Sequence, residues 1–443
     1  MRELFGTDGI RGKARQYPLD PATMVALGEA LAHRVGGERI LLGMDTRESG
    51  PEIARALTVG ARRGGSEAVL IGVVPTPAVA YLCRTTDAAA AISISASHNP
   101  FEDNGVKIFG HDGMKLADAI EEQIEDELRA LRRESDSTLP DVALNENEEL
   151  IEAYERFLVR GVPPGALAGR KVVLDTGYGA AYRIAPDVFR LAGAEVVVIH
   201  DLPNGRNINE ESGALHPGRL ASVVVEQAAD YGVAFDGDAD RAIFADDKGK
   251  IRDGDEIIYL WAKHLREQNE LRGNCVVTTV MSNFGFERQL QADGIELCRA
   301  QVGDKYVLEL MLQRDALLGG EQSGHIIDRT VHTTGDGIHT ALVFGHILGE
   351  TGKRFSELTT FEPMPQLLLN EKVKAKPPLE SLPLYQEAAE RAARELGGRG
   401  RILVRYSGTE NLVRVMVEGE DDAQIRDIAE RLRGVLKQEI DAR

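Results

Sequence analysis

The sequence predicts a succession of mixed α/β units closed by a smaller α+β unit. Two observations carry this. Strand-like and helix-like stretches alternate, and the alternation restarts at Lys171 and again at Cys275. Beyond a Lys/Pro-rich stretch, KVKAKPPLE (372–380), the order changes to helix, strand, strand, helix. The length agrees, since 443 residues exceed one core and correspond to roughly three or four domains. The expected units are 1–152, 153–252, 253–366 and 367–443.

In the first unit, DPATMVALGEALAHRVGG (20–37) reads as a helix with Asp20 as cap, Pro21 in the first turn and Gly36-Gly37 as stop. Strand-like RILLGMD, helical SGPEIARALTVGARRGG, strand-like EAVLIGVV and SISAS (93–97) follow. The alternation favours a mostly parallel sheet. The acidic segment from Glu121 to Glu149 closes this unit with helices. The second unit runs from KVVLDTG (171–177) through AAYRIAPDVFRLAG, EVVVIH and GRLASVVVEQAAD to GVAFDGDADR (232–241). The third contains CVVTTVMSN (275–283), GFERQLQADG, IELCRAQVG, DKYVLELMLQ and the loop GGEQSGH (319–325). The last holds RILVRYS and NLVRVMVEG. The units are alike in pattern only, with no repeat of identical residues.

Composition narrows the function. The longest apolar runs fall far below the roughly 20 residues of a membrane span, and the N-terminus shows no apolar core behind a basic start. Three scattered cysteines, Cys83, Cys275 and Cys298, make no disulfide framework, so a reducing cytoplasm is expected. With 52 Lys+Arg against 71 Asp+Glu, the net charge of −19 argues against nucleic acid or an anionic membrane as partner. An anionic ligand then has to be captured by local groups.

Four polar clusters stand at strand ends, where α/β sheets gather ligands. DGDADR spaces Asp236, Asp238 and Asp240 at alternate positions. Three such carboxylates repel one another unless a cation offsets them, and hard oxygen ligands suit Mg²⁺ or Ca²⁺. An EF-hand does not fit, because Arg241 takes the place of the required Gly and Asp247 that of the bidentate Glu. Arg241 is then a second positive group for a phosphoryl oxygen. In RYSGTENLVR, the turn Ser407-Gly408-Thr409 between Arg405 and Arg414 suits a phosphate. In GEQSGH, Glu321 and Ser323 match the vicinal hydroxyls of a sugar. In SISASHNPFEDNGVK (93–107), Ser93, Ser95 and Ser97 alternate with apolar residues as on one strand face. Only Ser97 stands at the end of the alternation beside His98, so it is the candidate nucleophile, with Lys107 able to supply charge. His98, pointing to the opposite face of an extended strand, is as well suited to orienting a phosphate as to deprotonating Ser97.

FGTDGIRG (5–12), SASHNP (95–100), DNGVK (103–107), DGDADR (236–241), GEQSGH (320–325) and RYSGTEN (405–411), in this order and spacing, resemble the α-D-phosphohexomutase superfamily. Within it the chain is similar to the bacterial phosphoglucosamine mutases. The resemblance implies three related α/β domains and a last, TATA-binding-protein-like domain around a central cleft. It implies Ser97 as a phosphoserine; Mg²⁺ held by Asp236, Asp238, Asp240 and the Ser97 phosphate; and Arg11, His98, Lys107, Arg241 and His325 around the transfer site. Glu321 and Ser323 are implied for sugar hydroxyls, and Arg405, Ser407, Gly408, Thr409 and Arg414 for the phosphate that is not reacting. The implied reaction converts glucosamine 6-phosphate to glucosamine 1-phosphate through a hexosamine 1,6-bisphosphate, for UDP-N-acetylglucosamine and cell-wall synthesis, by a possible homodimer. The alternatives are a phosphomannomutase or phosphoglucomutase, and a non-catalytic metal-dependent sugar-phosphate binder. Lys305 in VGDKYV replaces an Arg common in relatives, and the amino-sugar assignment leans on Gln322 in GEQSGH.

Overall fold

A computed structural model describes residues 4–6, 8–407 and 411–442. By its internal packing the chain divides into two compact units: Met1–Thr279 with Cys298–Thr359, and Val280–Leu297 with Thr360–Arg443.

The larger unit is built on three sheets. In the first, the strand Ile40–Met44 lies between Ala68–Val73 and Ala90–Ile94, parallel to both. Asp103–Gly110 then pairs antiparallel with Ala90–Ile94, and Gly9–Lys13 pairs antiparallel with Asp103–Gly110. The sheet is therefore mixed, not mostly parallel as the alternation suggested. The segment from Ser95 to Glu102 is too short for the dozen or more residues of a parallel crossover, so the chain must fold back beside the strand it has left. That reversal places Lys107 opposite Ser93 and carries Ser97 to the strand's carboxyl end.

The second sheet repeats the plan. Lys171–Asp175 lies parallel to Glu195–Ile199 and Tyr231–Phe235, and Ala242–Asp246 returns antiparallel along Tyr231–Phe235. The reversal between Phe235 and Ala242 is the DGDADR turn. A third sheet includes Cys275–Thr279 parallel to Leu318–Gly320, which pairs antiparallel with Ile326–Asp328 across the GEQSGH turn. Three polar loops thus arise from three reversals.

Helices cover these sheets for local reasons. Asp20 accepts the Thr23 amide at 3.1 Å and caps Pro21–Arg34 as expected. The acidic stretch from Glu121 to Glu149 is α-helical only at its ends, in Asp118–Leu131 and at the start of Glu148–Arg160, with a short 3-10 turn at Glu134–Ser137 between them. Pro21–Arg34 packs on Gly50–Arg63 so closely that a Cβ on Gly60 would lie 2.0 Å from the Val25 carbonyl oxygen. Among the described residues, no helix is long and apolar enough to cross a membrane.

The smaller unit has an antiparallel sheet in the order Gln366–Lys372, Leu412–Gly419, Gly400–Tyr406. Val413, Val415 and Val417 turn one face of its central strand into a core with Ile425, Ile428 and Leu432 of the helix Asp422–Asp441. Period-2 burial then leaves Arg414 to the opposite face.

Gly60→Ala tests the helix contact. Alanine gains about 1 kcal/mol of helix propensity, but overlap with backbone costs roughly 1–3 kcal/mol. A net fall in melting temperature is expected; a rise would show that the two helices separate freely.

Candidate active site

Ser97 owes its position to the break in its strand. The strand ends at Ile94, so Ser95 lies past it, contrary to the expectation that Ser93 and Ser95 are both strand residues. Ser97 takes φ +50, a conformation few non-glycine residues adopt. Its Oγ donates to Asp236 Oδ2 at 2.6 Å, and His98 Nδ1 stands 3.2 Å away. In this turn, unlike an extended strand, neighbouring side chains converge. Ser93 is bonded to Thr76 at 2.6 Å, while Ser95 Oγ accepts the Ser97 amide at 2.8 Å.

The turn after Phe235 brings one carboxylate oxygen each of Asp236, Asp238 and Asp240 within 4.8 Å of one another, all buried. Asp238 Oδ1 and Asp240 Oδ1 are buried without a hydrogen-bond partner among the described residues. Such oxygens are costly unless something binds them. Three buried hard-oxygen ligands fit a divalent cation. Burial, then repulsion from Asp240 and Asp238, pushes the Asp236 pKa up to about 8. Burial also opposes ionisation of Asp240, but Lys107, His325 and Arg241 outweigh it and hold its pKa well below the usual range.

Lys107 Nζ lies 2.9 Å from Asp238, 3.3 Å from Asp240 and 3.3 Å from Asp8. It is buried, so its ammonium is the cation that partly balances the cluster. Burial disfavours that charge, and the three aspartates more than offset it, raising the Lys107 pKa well above normal. Arg11 donates to the Ala96 carbonyl at 3.2 Å and pairs with Asp8. Arg241 places its amide 3.2 Å from Asp236 Oδ1 and Nε 3.8 Å from Asp240. Burial first, then Arg241 and Arg11, lowers the His98 pKa to about 4. At neutral pH His98 is uncharged and a weak base, which favours the orienting role.

His325 reaches the same cluster from the third sheet, with Nδ1 3.6 Å from Asp240. The Gly335 amide donates to its Nε2 at 2.9 Å, which assigns the ring proton to Nδ1, facing Asp240. Glu321 accepts the Gly303 amide at 3.1 Å and Ser323 Oγ at 3.3 Å. Both are half-buried, with hydroxyl and carboxylate adjacent. Gln322, in contrast, donates to Asp253 at 3.0 Å, so its amide is committed within the protein. Lys305 pairs with Asp118.

The structure adds residues that motif reading passed over. Asp8 joins Arg11, Lys107 and Lys115, and Lys115 continues to Asp304 at 2.6 Å. Asp304 stands 3.8 Å from His325. Arg47 and Asn209 hold the Ser97 turn from behind. Asp8 and Asp304 sit inside the quoted GTDGIRG and VGDK stretches; Asn209 carried no signal beyond its polar loop.

In the smaller unit, Arg405 and Arg414 are direct cross-strand partners. Burial, then the Arg414 charge, lowers the Arg405 pKa. Arg414 Nε is buried and has no hydrogen-bond partner among the described residues, and Lys376 Nζ donates to the Ser407 carbonyl at 2.7 Å. Like charges placed directly opposite destabilise a sheet, and a bound anion would offset that repulsion. Gly408 and Thr409 lie outside the described residues.

Models of the four phosphoglucomutase/phosphomannomutase domains match in order: α/β/α domain I at residues 2–134, domain II at 163–249, domain III at 253–364 and the C-terminal domain at 368–435. The phosphoglucosamine mutase of Solibacter usitatus is 46% identical over 444 residues, covering 99% of both chains. That of Bdellovibrio bacteriovorus is 43% identical over 99% of this chain and 98% of its own. A phosphoglucomutase/phosphomannomutase family protein from Burkholderia thailandensis, 24% identical, superposes with a TM-score of 0.81 over 99% of this chain and 98% of its own.

The raised Asp236 pKa has a measurable consequence in metal-free protein. Between its unfolded pKa near 4 and about 8, the folded state holds a proton that the unfolded state has lost, so this group's contribution falls as pH rises. Asp236→Asn lacks that slope. In chelator, the stability of the variant relative to wild type is expected to increase from pH 5 to pH 8, by urea unfolding. A constant difference would overturn the assignment of the proton to Asp236.

Proposed function

The chain belongs to the phosphoglucosamine mutases of the phosphohexomutase superfamily, and from that membership we infer how its residues work. It is an isomerase that interconverts glucosamine 6-phosphate and glucosamine 1-phosphate. Ser97 is the phosphoryl carrier, a role supported above all by its Oγ standing 2.6 Å from Asp236 within the buried aspartate cluster.

Phospho-Ser97 gives its phosphoryl group to the free hydroxyl of glucosamine 6-phosphate. The O–P bond at Ser97 breaks as the one at the sugar forms, and the sugar hydroxyl's proton replaces it at Ser97 Oγ. The resulting 1,6-bisphosphate turns over and returns its other phosphoryl group to Ser97, releasing glucosamine 1-phosphate. Asp236 accepts the Ser97 Oγ–H between the two transfers. Asp236, Asp238 and Asp240 hold a divalent cation, Mg²⁺ in this proposal, which supplies charge stabilisation to the transferring phosphoryl oxygens. Arg11, Lys107, Arg241 and His325 add fixed positive or donor groups, and neutral His98 orients the phosphoryl group. Glu321 and Ser323 bind sugar hydroxyls. Arg405, Ser407 and Arg414, with Gly408 and Thr409, bind a phosphate. The bound Gln322 amide gives no direct basis for choosing an amino sugar; the full-length relatives do. We further propose a cytoplasmic, homodimeric enzyme.

Two measurements test this. Ser97→Ala is expected to abolish turnover while binding of the sugar phosphate survives, and peptide mapping of protein treated with glucosamine 1,6-bisphosphate should place phosphate on Ser97 alone. Activity retained in Ser97→Ala would end the phosphoserine reading. On substrate, kcat/KM should be highest for glucosamine 6-phosphate; a preference for mannose or glucose 6-phosphate would move the chain to the alternative mutases.

Metal dependence is tested separately. Mg²⁺ at a hundred times its Kd should stabilise the protein by about 2.7 kcal/mol, and Asp238→Asn should lose most of that gain together with roughly 100-fold or more in kcat. An equal gain in the variant would place the metal elsewhere.

A further inference from the structure

Ser97 has to present the same Oγ geometry when it carries a phosphoryl group and when it does not, yet its backbone is in a region that favours glycine. Main-chain groups of this turn are engaged at several points. The Ser97 amide donates to Ser95 Oγ at 2.8 Å, and the Asn99 amide donates to the Ala96 carbonyl at 3.1 Å. The carbonyls of Ser97 and Asn99 converge on two donors. Arg47 Nη2 lies 3.1 Å from the first and 2.6 Å from the second; Asn209 Nδ2 lies 2.9 Å and 3.1 Å from the same two oxygens.

Both donors are themselves fixed. Arg47 is 1% exposed and pairs with buried Asp45, whose Oδ1 also accepts the Arg47 amide at 2.9 Å. Asn209 comes from the second α/β segment, has φ +60, and its amide donates to the Gly177 carbonyl at 2.9 Å. Gly237, in the metal-binding turn, packs against the Ser97 carbonyl so closely that a Cβ there would lie 2.5 Å from that oxygen. Asn209 Nδ2 is 3.0 Å from the same Cβ position. One carbonyl therefore registers the serine turn against both the metal turn and the Asn209 loop.

We propose that Arg47 and Asn209 are positioning residues for phosphoryl transfer: together they clamp the Ser97 and Asn99 carbonyls, holding Ser97 in its left-handed conformation with Oγ aimed at Asp236 through both halves of the cycle. Neither side chain touches the sugar in this assignment. Their effect passes through the Ser97 backbone, so loosening them misplaces the reacting oxygen without removing any group that binds substrate. A displacement of about 1 Å at a reacting atom can cost on the order of 100-fold in rate. The inference rests on Ser97 as the phosphoryl carrier.

The test compares Asn209→Ala, Asn209→Gln and Arg47→Lys with wild type, measuring kcat and KM for glucosamine 6-phosphate, melting temperature, and the rate at which glucosamine 1,6-bisphosphate phosphorylates Ser97. Asn209→Ala is expected to lower kcat and the phosphorylation rate roughly ten- to a hundredfold while KM stays within about twofold. Asn209→Gln, which keeps the donor, should recover part of that loss. Arg47→Lys keeps a charge beside Asp45 but lacks the fork, and should lower kcat in the same way. A phosphorylated Asn209→Ala enzyme with wild-type kcat, or a loss confined to KM, overturns the clamp. So does a kcat loss that Asn209→Gln fails to relieve while its melting temperature matches wild type. Wild-type enzyme that turns over without ever carrying phosphate on Ser97 overturns the phosphoserine reading, and the clamp with it.

Discussion

The larger unit is organised around the repulsion among Asp236, Asp238 and Asp240. Their oxygens lie within 4.8 Å of one another in a buried turn, where like charges are screened far less than at the surface. The fold answers this with positive and hydrogen-bond-donating groups drawn from separate parts of the unit. Lys107 comes from the antiparallel return strand of the first sheet, His325 from the third, and Arg241 from the turn itself. The compensation is incomplete, since Asp236 is still pushed up to about 8 and two carboxylate oxygens lack a hydrogen-bond partner among the described residues. A cluster so nearly balanced, but short of one cation, is suited to taking a divalent ion rather than simply to being stable.

Ser97 depends on the same cluster. Its hydroxyl is held by Asp236 and its carbonyl by Arg47, Asn209 and the close approach of Gly237. The Ser97 Oγ and the three aspartate carboxylates are thus fixed relative to each other by backbone contacts as well as by side chains. That matters for phosphoryl transfer, where the protein contributes mainly position and electrostatics. A network reaching Asp8, Lys115 and Asp304 surrounds this centre, so a change in any one charge is felt through several partners.

Much of this was legible in the sequence because its signals are local. Alternation exposed the strand leading to Ser97, and the spacing of DGDADR exposed the aspartate turn. The sheet direction was misread because the decisive feature is the shortness of Ser95–Glu102, which forbids a crossover, rather than any residue type. Ser95 was assigned to a strand face because period 2 says nothing about where pairing stops. Arg47 and Asn209 escaped notice for another reason: each acts on a carbonyl about 50 or 112 positions away in sequence, and a carbonyl has no letter in the sequence. Motif reading finds side chains that meet ligands more readily than those that hold backbone.

The net charge of −19 and an anionic substrate are reconciled by where charge is concentrated. In the smaller unit, Arg405 and Arg414 face each other directly across two antiparallel strands, and Arg414 Nε is buried without a partner among the described residues. This is the inverse of the aspartate turn: like charges held together by a fold that gains its stability elsewhere, from the Val413, Val415 and Val417 face and its helix. A diffuse basic surface would attract any polyanion, whereas a half-buried pair accepts best what meets it with matching geometry. The acidic remainder of the chain works in the same direction, since it repels anions except where strong local donors outweigh it.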